Sequence, residues 1–124
     1  MKTFLASLAL ASAALFGLSA CSAAPAAPPA SLSADTVVID VRTPGEYASG
    51  HLEGAINIDV QSSDFDSRMA ALPTDGDYLV YCQSGNRSSV ATARLAELGY
   101  TSVTDAGGIS AAAASTGLEV VTTP

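Results

Sequence analysis

Positive charge is the first thing this chain lacks. Five Lys and Arg stand against 12 Asp and Glu in 124 residues, with one His, and the formal net charge is −7. Grip on a phosphate backbone needs the opposite sign, so nucleic acid is excluded as a partner. There is no Trp, and there are only two cysteines, Cys21 and Cys82. Two thiols in such different surroundings do not make a disulfide framework. Long apolar runs are missing too. Although 48% of the residues are hydrophobic, much of that is alanine crowded into the first 30 positions and the run 111–114. The apolar stretch Phe4 to Phe16 falls short of the roughly 20 residues that span a bilayer.

What is present begins with a leader. Residues 1–20 have the layout of an export signal: Lys2, the apolar stretch, then small residues before a cut. Leu18-Ser19-Ala20-Cys21 resembles the bacterial lipobox, in which the cysteine thiol is joined to a diacylglycerol and the chain is cleaved just before it. The resemblance implies that Cys21 is the lipidation site. It implies an exported domain, lipid-anchored to a bacterial membrane in the cell envelope and facing the periplasm or cell exterior. An ordinary secretory signal with a chance cysteine is the plainer alternative, and it too places the domain outside the cytoplasm. Once the leader is gone, four arginines face 12 carboxylates, eight negative charges in excess. Residues 21–35 are dominated by Ala, Ser and Pro. Such a stretch cannot bury enough apolar surface to order itself, and it reads as a stalk reaching up to ~40 Å.

Residues 36–124 are enough for one modest core and too few for two catalytic domains. Thr36 to Val41 is an apolar run without alternation, as expected of a strand buried on both faces of a parallel sheet. Thr43-Pro44-Gly45-Glu46 supplies an N-cap, a proline at the first helical position and a carboxylate that can reach back to the cap amide, so a short helix starts there. Ala55 to Ile58 is a second strand, Asp64 to Leu72 a helix ended by Pro73, and Tyr78 to Tyr81 a third buried strand. From Ser88 to Leu98 the spacing of Val90, Ala91, Leu95 and Leu98 predicts a helix burying that face, closed by Gly99. A further strand covers Tyr100 to Val103, Gly107-Gly108 opens a last short helix through Ala114, and Leu118 to Val121 is extended. Strands alternating with helices imply an α/β fold, a mainly parallel central sheet flanked by helices.

In such sheets ligands collect at the carboxyl ends of the strands. Cys82 sits there, and Gln83-Ser84-Gly85-Asn86-Arg87 leads into the helix near Ser88. A loop of small residues can turn successive backbone N–H groups inward, and a helix N-terminus adds partial positive charge. Both favour a thiolate and bind an anionic group beside it. An inert core cysteine is the bland alternative for Cys82. For Arg87 it is a surface ion pair, although an arginine in the first turn opposes the helix dipole and calls for something anionic nearby.

At this point the chain resembles a single-domain rhodanese, a sulfurtransferase, from Val37 to about Val121. Val38-Ile39-Asp40-Val41-Arg42 with Glu46-Tyr47 matches the first strand and helix of that family, and Gly50-His51-Leu52-Glu53-Gly54-Ala55-Ile56-Asn57-Ile58 its G-H-[IL]-x-G-A-x-N-[IL] segment. Tyr81-Cys82-Gln83-Ser84-Gly85-Asn86-Arg87-Ser88 matches the active-site loop, and Gly107-Gly108-Ile109 the late glycine pair. The resemblance implies a rhodanese-like layered fold over residues 36–124, with Cys82 catalytic and Gln83, Ser84, Gly85, Asn86, Arg87 and Ser88 binding substrate. Sulfane sulfur would pass from thiosulfate, a polysulfide or a persulfide to a thiol or cyanide through a persulfide on Cys82. Neither a metal nor an organic cofactor is implied.

By the same resemblance Asp40 and Arg42 belong to a structural polar network, and His51 to a structural turn segment. Cys82 to Arg87 is the six-residue loop of sulfur transfer; the related phosphatases have one residue more. Two departures stand out. Gln83 replaces an arginine common in small rhodaneses, and alanine near position 112 replaces a usual tryptophan. Both lend some support to a competing class, a rhodanese fold kept as a non-catalytic binding or sulfide-sensing module.

Overall fold

The computed structural model describes residues 32–123. Its centre is a parallel four-stranded sheet: β1 (Val37–Asp40), β3 (Ile56–Asn57), β4 (Asp77–Cys82) and β5 (Ser102–Gly108), in spatial order β3-β1-β4-β5. A small antiparallel pair joins β2 (His51–Leu52) to β6 (Val120–Val121). The helices are α1 (Pro44–Ser49), α2 (Phe65–Met69), α3 (Asn86–Glu97) and α4 (Ile109–Thr116). No helix among the described residues is long and apolar enough to cross a membrane.

Successive residues of a strand point to opposite faces, and here both faces are covered. Ile39, Val41, Tyr78, Val80 and Cys82 face one core with Phe65 and Met69 of α2 and Ala91 and Leu95 of α3. Val38, Leu79 and Tyr81 face the other, with Leu52 and with Ala112 of α4. Non-alternating apolar strands and a parallel sheet therefore agree. The predicted helix start at Thr43 is present as a full capping box: Glu46 N–H donates to Thr43 Oγ1 at 3.3 Å, and Thr43 N–H donates to Glu46 Oε2 at 3.0 Å.

Several boundaries differ from the sequence expectation. Helix α2 stops at Met69, short of Leu72, where the Tyr100 hydroxyl takes up the Met69 carbonyl. On α3 the buried face is Ser88, Ala91 and Leu95, while Val90 is 62% and Leu98 40% exposed. Val90 lies about 200° round the helix from Ser88 and so faces solvent. Leu98 is the C-cap, beyond the last helical turn. Strand β5 begins later and runs longer than Tyr100 to Val103, because Tyr100 is tied back by its N–H to Leu95 O. As an edge strand β5 carries exposed polar residues such as Thr104 and Asp105, which hide it from a search for apolar runs. Gly107 and Gly108 end that strand, and Gly108 is also the N-cap of α4.

Candidate active site

Cys82 is the last residue of β4 and is fully buried. Gly85 follows at φ +100°, a conformation glycine adopts without a Cβ penalty, and it is the N-cap of α3. This turn reverses the chain tightly enough for the Gly85 N–H to donate to Cys82 Sγ at 2.9 Å. Ser88, in the first turn of α3 and fully buried, places Oγ 3.5 Å from the same sulfur and 3.1 Å from Gly85 O. Burial pushes the thiol up, but the Ser88 hydroxyl and the amides of Ser88, Gly85 and Ser84 together outweigh it and leave the Cys82 pKa lowered.

The loop is backed by β5. A Cβ on Gly108 would come within 2.7 Å of Gln83 O and 3.2 Å of Ser84 Cα, so only glycine lets the two segments approach this closely. A Cβ on Gly85 would lie 3.8 Å from Gly107 Cα, an ordinary contact, so the tight approach is at Gly108 alone. Gln83, Ser84 and Asn86 are exposed, which makes the loop the side of entry.

Each residue expected to bind substrate lies in this loop or the helix start, with different engagements. Ser84 and Gly85 turn backbone N–H groups to the sulfur. Asn86 opens α3 at the surface. Gln83 is turned back to the domain, its Oε1 accepting from Arg42 Nη1 at 2.9 Å. Arg87 makes a two-pronged ion pair with Glu46, at 2.7 and 2.8 Å. The anion that a first-turn arginine calls for is thus a residue of the protein. The Arg87 guanidinium holds the Glu46 carboxyl down to about 2, so the pair stays ionised at any ordinary pH. Glu46, which the sequence marks as a cap and as part of the family's first helix, is the partner of Arg87 that the sequence did not identify. Cys21 lies outside the described residues.

Beneath the loop on the opposite face lies the polar network. Asp40 is wholly buried and Arg42 97% buried. Arg42 donates from Nε and Nη2 to the Asp40 carboxylate at 2.7 to 3.1 Å, and from Nη2 to Gly50 O at 2.6 Å. The Tyr81 hydroxyl donates to Asp40 Oδ2 at 2.9 Å and accepts from Leu52 N–H. Asn57 fastens the carbonyls of Asp40 and Arg42. His51 stacks on Tyr47 with ring centroids 3.7 Å apart and bonds through Nδ1 to Tyr47 O, far in role from the sulfur. Among the described residues no cluster of three or more His, Cys, Asp or Glu is placed to hold a metal ion.

A parallel α/β sheet with a buried cysteine at its carboxyl edge, cradled by the amides of a short loop, is the arrangement the structure presents, and comparison with known proteins gives its family. The rhodanese-like domain family matches residues 29–115, and the chain belongs to that family. It is 44% identical over 73 residues to the thiosulfate sulfurtransferase PspE of Escherichia coli strain K12, covering 57% of this chain and 68% of that one. It is 37% identical over 87 residues to a sulfurtransferase of Allochromatium vinosum, covering 70% of this chain and 79% of that one. A solved rhodanese with anions from E. coli superposes with a TM-score of 0.60 at 33% identity, covering 71% of this chain and 99% of that chain. The protein is a rhodanese-type sulfurtransferase.

Proposed function

We propose that Cys82 carries sulfane sulfur as a persulfide between an anionic donor and a thiol or cyanide acceptor. The observation that carries this reading is the Gly85 N–H aimed at Cys82 Sγ at 2.9 Å, with Ser88 beside it. The thiolate attacks the outer sulfur of the donor; a new S–S bond forms, the donor's own bond breaks, and its remainder leaves with the electron pair. With thiosulfate that remainder is sulfite. An acceptor thiolate or cyanide then attacks the outer sulfur of the Cys82 persulfide and regenerates the thiolate. The cycle balances without an external oxidant or reductant. The same amides and the N-terminus of α3 stabilise either sulfur anion.

Donor preference follows from charge. Arg42, Arg87 and Arg94 are each paired with a carboxylate, and Gln83 adds no cation at the rim. Thiosulfate, a dianion, gains little from this surface, so a singly charged organic persulfide is the better donor.

The thiolate reading predicts a pH profile. Because the folded Cys82 pKa is lowered, alkylation of Cys82 by iodoacetamide should have its midpoint below the ~8.5 of a free cysteine, the rate falling as pH drops through that lowered value. A midpoint at or above the free-cysteine value contradicts it.

For the cellular setting, we read residues 1–20 as a cleaved leader, 21–35 as a stalk lipidated at Cys21, and 36–124 as the catalytic domain, held on a bacterial membrane and facing the periplasm or exterior. Two acyl chains on one cysteine suffice for stable anchoring. Cys21→Ser should move the protein out of the membrane fraction or leave the precursor uncut. Unchanged fractionation, with no lipid mass on the wild type, contradicts the anchor.

A further inference from the structure

The active-site loop leaves the sheet at Cys82 and is exposed at Gln83 and Ser84, yet its amides must be aimed at one sulfur atom. Gly108 backs it from β5, but a close approach without a Cβ limits how far the loop can fall inward and does not hold it there. The side-chain tie on the loop before Gly85 is the bond from Arg42 Nη1 to Gln83 Oε1 at 2.9 Å. Arg42 is itself immobile: Asp40 holds it on two nitrogens, Gly50 O takes Nη2, and its guanidinium lies 5.7 Å from the Tyr81 ring centroid. We infer that Gln83 is a positioning residue, which fixes the Ser84–Gly85 segment over Cys82 by hooking it to the buried Arg42. The inference rests on Cys82 being the nucleophile.

The chemistry suits the task. A hydrogen bond from a guanidinium is roughly twice as strong as a neutral one, and a donor so deeply fixed transmits its position to the acceptor. Glutamine supplies an acceptor oxygen without adding an anion beside the thiolate. An arginine at 83 cannot accept this bond, and turned inward it would meet Arg42 as a like charge. Position 83 in this chain therefore acts on the reactivity of the sulfur, and only secondarily on attraction of the donor. The side chain is exposed on its outer side, so water can take over the Arg42 N–H when Gln83 is lost, and the fold survives its replacement.

The test uses Gln83→Met, which keeps the length and loses the acceptor, and Gln83→Glu, which keeps the acceptor, in the purified protein. In Gln83→Met the Gly85 amide should exchange hydrogen at least about tenfold faster, while the amides of Leu79 and Val80 in β4 keep their protection. Opening the loop removes both the burial that raises the Cys82 pKa and the larger set of bonds that lowers it. The alkylation midpoint should therefore rise toward ~8.5, with Arg87, the charged group within reach of the sulfur, unaltered. Turnover kcat should fall about three- to tenfold with little change in KM. Gln83→Glu should restore Gly85 protection. Unchanged exchange and midpoint in Gln83→Met, with a rise in KM alone, would overturn the inference and make residue 83 a donor contact. A wild-type Cys82 that accepts no sulfur would instead overturn the reading of the nucleophile, whatever the exchange rates.

Discussion

Cys82→Ser should lower sulfur transfer from thiosulfate or polysulfide to cyanide by at least about 1,000-fold while leaving the fold intact. Serine preserves the shape of a side chain that is fully buried in the core with Ile39, Val41 and Ala91, and it can still accept the Gly85 N–H. What it cannot do is hold a second sulfur, because no hydroxyl forms the S–S bond on which the cycle turns. The loss should appear in kcat and not be recovered by raising the donor concentration. A variant retaining more than about a tenth of the wild-type rate, with unaltered circular dichroism, would place the chemistry elsewhere.

The second large effect is on stability. Asp40→Ala should cost about 3–5 kcal/mol, a substantial part of the 5–15 kcal/mol that typically holds a domain of this size together. The reason is asymmetric. Asp40 and Arg42 have taken both charges out of water, and their mutual bonds at 2.7 to 3.1 Å roughly offset that desolvation. Deleting Asp40 leaves the Arg42 guanidinium buried and unpaired and strips the Tyr81 hydroxyl of its acceptor. Urea denaturation measures the difference. A loss below about 1 kcal/mol would mean that water reaches Arg42, and the rigid anchor inferred for Gln83 would go with it.

Local features of the fold were legible in the sequence, and distant contacts were not. The capping box at Thr43 and Glu46 was legible because it is local: four consecutive residues of sequence decide it. The turn that brings the Gly85 N–H and Ser88 Oγ to Cys82 Sγ was legible for the same reason, since the three residues lie within seven positions of chain. The buried faces of β1 and β4 could be read from unbroken apolar runs. What was lost are contacts between residues distant in sequence. Arg87 signalled that an anion must lie near, but the identity of Glu46 depends on how α1 packs beside the loop. The β2 and β6 pairing joins two-residue strands from opposite ends of the domain, too short to carry any period. Gln83 looked like a rim residue because nothing in a linear chain says that Arg42 lies behind it. The spacing of Val90 and Leu98 fits a helical stripe, whereas the sheet selects the stripe through Ser88, Ala91 and Leu95.

The proposed function requires that Cys82 itself becomes the sulfur carrier. Intact-mass spectrometry of the purified domain, after brief incubation with polysulfide or with thiosulfate and without an acceptor, tests it most directly. One sulfur atom should be gained, mapped to Cys82 by peptide fragmentation, removed by cyanide, and absent in Cys82→Ser. A domain that turns over sulfur while Cys82 stays at the mass of a free thiol throughout would contradict it.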